Sequence, residues 1–200
     1  MQEKERFTYR EEKANFISHL VGAALALAGL VIIIIFAARW GEGIHVVSAS
    51  IFGASMLVLY LSSTIYHGLR HWKAKRLFFL IDQISIYLMI AGSYTPITLI
   101  ALGGALGWTL FGIVWAVAVI GTLSTIYYRT DRVGGVRPLK VASYVFMGLL
   151  VLIAVPQLAA VLSGWGLVLL LAGGAFYLLG IIFFSMKKVK YSHLVWHLFV

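Results

Sequence analysis

The chain has 200 residues and a formal net charge of +9, with 62% apolar and 12% charged residues. An ordinary globular domain carries roughly 45–50% apolar and about 25% charged residues, and a core of this size cannot bury such an excess. Soluble, disordered and collagen-like chains are therefore excluded. With no cysteine present, disulfides and thiolate ligands are ruled out, and any metal site must use His, Asp, Glu or water.

A helix needs about 20 mainly apolar residues to cross a bilayer. Taken in chain order, the sequence predicts spans from Asn15 to Ala38, Ile44 to Gly68, Leu77 to Ala101, Leu106 to Tyr128, Leu139 to Leu162 and Gly166 to Met186. A seventh begins near Tyr191 and meets Val200 after about ten residues, roughly 15 Å of helix. That is too short to span, and the expectation is that the seventh helix is cut short. The predicted fold class is an all-α integral membrane protein, a seven-helix bundle. Residues 1–14 form a cytoplasmic N-terminal segment and residues 15–200 a single transmembrane domain. The first apolar run is too long for a signal-peptide core and no cleavage signature follows it. Pro96 and Pro156 are expected to kink the third and fifth spans. Gly173, Gly174 and Gly180, with Ala24 and Ala28, are expected to allow close helix packing. Trp40, Trp108 and Trp165 lie by the loops of one side, as an aromatic belt does.

The positive charge encodes topology rather than a nucleic-acid partner. The N-terminal segment carries Lys4, Arg6, Arg10 and Lys13, and the second–third connection Arg70, Lys73, Lys75 and Arg76. The fourth–fifth connection carries Arg129, Arg132, Arg137 and Lys140, and the sixth–seventh Lys187, Lys188 and Lys190. Only Arg39 lies opposite, so the positive-inside rule predicts a cytoplasmic N-terminus in a cell-membrane protein.

Asp82 is the only acid within an apolar span. An ionised Asp at a helix centre costs about 2.5–3.5 kcal/mol on insertion scales, and such residues usually face the bundle interior. The plainer alternative is a carboxylate that caps the helix start or snorkels. His193 and His197 are four apart, which places both imidazoles on one helix face. Alone, that pair is a weak metal signal, and without a Glu after the first His it is not the metalloprotease motif. His67 closes the second span with Ser63 one turn before it, and alone it reads as an ordinary interfacial histidine. Counted from the flanking basic residues, however, His67, Asp82, His193 and His197 all sit roughly 5–10 Å inside the predicted cytoplasmic boundary. Three His and an open water position are the pattern of a catalytic zinc site, and a nearby carboxylate can orient or deprotonate the water. His19, at the start of the first span, can join this layer. His71 and His45 are expected to stay outside it.

At these residues the sequence resembles the bacterial hemolysin III-type proteins of the progestin and adipoQ receptor family. That family lies within a seven-helix superfamily that includes the alkaline ceramidases. Glu12-x-x-Asn15-x-x-Ser18-His19 matches the segment before the family's first helix. Ser63-x-x-x-His67 matches the end of its second, Asp82 and Gly92-Ser93-Tyr94-Thr95-Pro96 fall in its third, and Ser192-His193-x-x-x-His197 opens its seventh. The resemblance implies zinc as cofactor, His67, His193 and His197 as its ligands, and Asp82 and Ser63 as catalytic groups beside it.

Two classes of function follow. The first is a zinc-dependent hydrolase of lipid amide or ester bonds, with Asp82 as base, Ser63 as hydrogen-bond donor, and membrane lipids of the inner leaflet as partners. The second is a non-enzymatic lytic or receptor-like protein with a structural zinc. A through-pore would require polar residues along its length, and the outer halves are mostly Leu, Ile, Val, Ala and Gly. A transporter, in which buried Asp and His can relay protons, would require access from both sides, and no matching polar cluster lies on the outer side.

Overall fold

The computed structural model describes residues 7–128, 138–186 and 188–200. Lys4, Arg6, Arg129, Arg132, Arg137 and Lys187 lie outside the described residues. Among the described residues the chain is helical throughout, with no strand, and six helices are long and apolar enough to cross a membrane.

Helix α1 runs from Tyr9 to Trp40. It starts well before the apolar run because Thr8 and Glu11 form a capping box: Thr8 N–H donates to Glu11 Oε2 at 2.9 Å and Glu11 N–H to Thr8 Oγ1 at 3.4 Å. These two bonds satisfy backbone groups that a helix start otherwise leaves open. The helix thus passes unbroken through the expected boundary at residue 14. Helix α2 (Gly43–Gly68) and α3 (Trp72–Pro96) follow. At Pro96 the third span does not simply kink. It widens into a π-turn over Ile97–Leu102, closed by Gly103 N–H to Thr98 O at 3.0 Å. Helix α4 spans Gly104–Tyr127.

The fifth span is built in three pieces: α5 (Pro138–Leu149), a 3-10 stretch (Leu150–Ala154) and α6 (Val155–Val161). The break lies ahead of Pro156 and has a cause on α3. The Tyr94 hydroxyl accepts from Val151 N–H at 2.7 Å and donates to Met147 O at 2.7 Å, with Gly148 O at 3.1 Å. Val151 and Met147 are an i, i−4 pair, so the hydroxyl occupies the place of their helical hydrogen bond. A side chain inserted into the ladder is one of the standard origins of a helix distortion. Pro156 then sits in the first turn of α6, where its missing N–H costs nothing.

Helix α7 covers Gly164–Ser185 and α8 Ser192–Phe199. The helices close into a ring: α1 packs on α2, α2 on α3, α3 on α4 and α5, α7 carries α8, and α8 returns to α1. Tyr87, Ala91, Tyr94, Val114, Ala118, Met147 and Leu150 knit α3, α4 and α5 into the main core. The small residues act differently from expectation. A Cβ on Gly180 would lie 2.8 Å from Trp196 and Phe199, so this glycine does seat α8 against α7. Gly173 and Gly174 face open space instead. On α1, Ala23 and Ala26 are buried, while Ala24 and Ala28 point outward. Trp40, Trp108 and Trp165 are all exposed.

Candidate metal centre

The turn before α8 aims two imidazoles into the bundle. Tyr191 adopts a left-handed conformation (φ 58°), which is unfavourable for a side chain with a Cβ. Glu11 on α1 holds it there, accepting from Tyr191 N–H at 2.9 Å, and Ser192 Oγ donates to Met186 O at 2.9 Å. The one-face spacing then places the His193 and His197 rings 4.5 Å apart. His67, one residue before the end of α2, lies 5.3 Å from the first and 5.1 Å from the second, measured between ring centroids. One nitrogen from each of His67, His193 and His197 falls within 4.8 Å of the other two, so the three can hold one metal ion.

The protonation of two of these rings is fixed by their neighbours. Glu12 Oε2 lies 2.5 Å from His67 Nδ1. A carboxylate only accepts, so Nδ1 carries the hydrogen and Nε2 is the ligating nitrogen. Ser18 donates its single proton to Asn15 O at 2.9 Å, so its oxygen accepts from His197 Nδ1 at 3.0 Å. His197 Nε2 is therefore also turned toward the cluster.

Asp82 lies ten residues into α3, which begins at Trp72 rather than Leu77, about 15 Å from the helix start. A capping role is thereby removed. Asp82 is outside the three-imidazole group. Ser63, 1% exposed, hydrogen-bonds through its side chain to Asp82. The next residue, Gln83, is bolted to α5: Lys140 Nζ donates to its side-chain oxygen, and Tyr144 OH donates to its carbonyl at 2.8 Å. Lys140, expected among the solvated loop cations, is thus a buried residue of α5.

Ser63, Asp82, His193 and His197 line one cavity of about 510 Å³. Its α3 wall runs from Phe79 to Ile97, about 27 Å of helix, and most of the lining is Ile, Leu, Val and Phe. The arrangement combines an imidazole triad, a carboxylate with a hydroxyl partner, and an elongated apolar chamber.

Sequence reasoning undervalued the first turns of α1. His19 is not marginal: its ring stacks on His197 at 3.5 Å and 18°, and both of its buried nitrogens have no hydrogen-bond partner. Glu12, Asn15 and His19 recur at i, i+3 and i+7, which is one helix face, with Ser18 beside His19. That periodicity was the available signal.

Over residues 7–200 the chain matches the family described as haemolysin-III related. It is 44% identical to Hemolysin-3 of Bacillus cereus over 96% of this chain and 85% of that protein. It is 46% identical to the Hemolysin-3 homolog of Bacillus subtilis (strain 168), over 97% and 89%. A more distant relative is the Monocyte to macrophage differentiation factor of Homo sapiens, 29% identical over 77% of this chain and 64% of that protein. This last similarity supports the link to the progestin and adipoQ receptor family. No solved structure matches the chain significantly.

Proposed function

The chain belongs to the haemolysin-III-related family of multi-pass membrane proteins, and from that premise we propose that it is a zinc-dependent hydrolase of lipid amide or ester bonds. The observation that carries the reading is the triad of buried or half-buried imidazoles whose nitrogens lie within 4.8 Å of one another, in a cavity that Asp82 and Ser63 also line. The donor set fits zinc: three neutral imidazoles suit a tetrahedral site with one open position. When bound there, zinc supplies Lewis acidity, polarising a carbonyl and lowering the pKa of water toward about 7.

The remaining work falls to the chain's own residues. Asp82 accepts the proton of the attacking water. Ser63 orients that carboxylate through its hydroxyl. The apolar chamber receives the acyl chain and keeps bulk water out, which strengthens every polar contact inside. In this reading the N-terminus is cytoplasmic, the protein resides in the cell membrane, and the substrate enters from the inner leaflet. The charge distribution of the sequence supports that orientation.

The printed name of the Bacillus relatives, Hemolysin-3, favours a second reading, a lytic membrane protein in which the metal is structural. One experiment separates them. Purified protein in bilayers is incubated with lipid amides and esters, and products are followed by mass spectrometry for wild type, Asp82→Asn and a metal-stripped sample. The hydrolase reading expects turnover by wild type and a loss of 10²–10⁴-fold in Asp82→Asn, the usual size of a general-base contribution, with the metal retained. Zinc-loaded wild type that consumes no lipid would falsify the hydrolase and leave the lytic reading.

A further inference from the structure

We propose that the first three turns of α1 are the outer support of the metal centre, with Glu12 and Ser18 as positioning residues that set its affinity. The inference rests on the metal reading of His67, His193 and His197. Four contacts made by α1 carry it. Glu12 Oε2 meets His67 Nδ1 at 2.5 Å, and its other oxygen accepts from Lys75 Nζ at 2.9 Å. Lys75 in turn donates to the carbonyls of Tyr66 and Leu69 at 3.3 and 3.2 Å, at the end of α2. The carboxylate is therefore pinned on one side to the helix end that carries His67. Six residues on, Ser18 meets His197 Nδ1 at 3.0 Å. One residue before Glu12, Glu11 holds the Tyr191 N–H at the entry to α8.

The three ligands come from two helices that have no covalent reason to hold register, α2 and α8. Helix α1 touches both. A histidine ligand whose far nitrogen is hydrogen-bonded has its tautomer and ring plane fixed, and loss of such a partner typically lowers metal affinity 10–100-fold. Glu12 supplies that bond for the α2 ligand, and Ser18, together with the backbone carbonyl of Asn15, for one of the α8 ligands. Neither touches the substrate cavity, so their effect on chemistry runs through the imidazoles alone.

The test is zinc affinity of the full chain in detergent, measured by competition against chelators of graded strength, together with the visible spectrum of the cobalt-loaded protein. Glu12→Ala is expected to weaken zinc binding 10–100-fold and Ser18→Ala about 10-fold, each with a shifted cobalt spectrum because the ligand geometry relaxes. Glu12→Gln keeps an acceptor oxygen and loses less. Glu42→Gln removes the same charge at the opposite end of α2, away from all three imidazoles of the cluster, and should bind as wild type does. The positioning role is overturned if Glu12→Ala keeps wild-type affinity, or if Glu42→Gln loses as much. It is also overturned if affinity falls only in step with metal-free stability while the cobalt spectrum stays unchanged. Wild type that takes up neither metal overturns the metal reading itself.

Discussion

Replacing Tyr94 by Phe removes one oxygen and leaves the buried ring in place. That oxygen serves three backbone groups of the fifth span: Val151 N–H and Met147 O, both at 2.7 Å, and Gly148 O at 3.1 Å. If the backbone stays broken, a donor and an acceptor are orphaned in an apolar interior, at about 1–3 kcal/mol each. If it relaxes, Val151 N–H can reach Met147 O directly and the 3-10 stretch reverts to α-helix. Measured side-chain hydrogen bonds inside membrane proteins average about 0.6 kcal/mol, which sets the lower limit. The expected loss is therefore between about 0.6 kcal/mol, if the helix straightens, and about 6 kcal/mol, if both groups stay orphaned, read by unfolding in mixed micelles. Amide hydrogen exchange at Val151 distinguishes the two outcomes, rising if the group is orphaned and falling if the helix straightens. Straightening also moves Val151 and Leu152, which wall the cavity, so any lipid turnover should change with it. Unchanged stability together with unchanged exchange at Val151 would refute the claim that this hydroxyl causes the break.

Two further predictions concern the metal and the topology. Wild type should bind one zinc per chain, and the His193→Ala, His197→Ala double variant should bind none by elemental analysis; stoichiometric metal in that variant sinks the ligand assignment. A single cysteine placed at position 73 or 188 of this cysteine-free chain should resist an impermeant thiol reagent in intact cells, and one at Arg39 should react. Labelling at 73 from outside reverses the orientation.

The spans were legible because twenty-residue apolar runs have few alternatives, and the His193/His197 face followed from helical periodicity alone. The features that escaped are those whose partner is distant in sequence. Nothing local to residues 147–156 announces Tyr94, fifty-odd positions earlier, so the break was assigned to Pro156. Lys140 stood next to loop cations and was counted with them, although its amine is committed to Gln83 on α3. His19 was left at the edge of the site because its stacking partner is His197. The start of α1 is a different case: Thr8 and Glu11 spell a capping box in the sequence itself, a signal hidden only by attention to hydrophobicity.

The bond between Ser18 and His197 joins residues 179 apart, and its consequence is temporal. Loop-closure entropy grows only slowly with length, so the span itself is not prohibitive, but the order of synthesis is. Ser18 and His19 on the first helix made have no His197 to meet until the last described helix is in place. A nascent chain that has not reached residue 193 lacks two of the three imidazoles and cannot assemble the cluster. The cluster is complete only when α8 has returned to α1 and the ring of helices has closed.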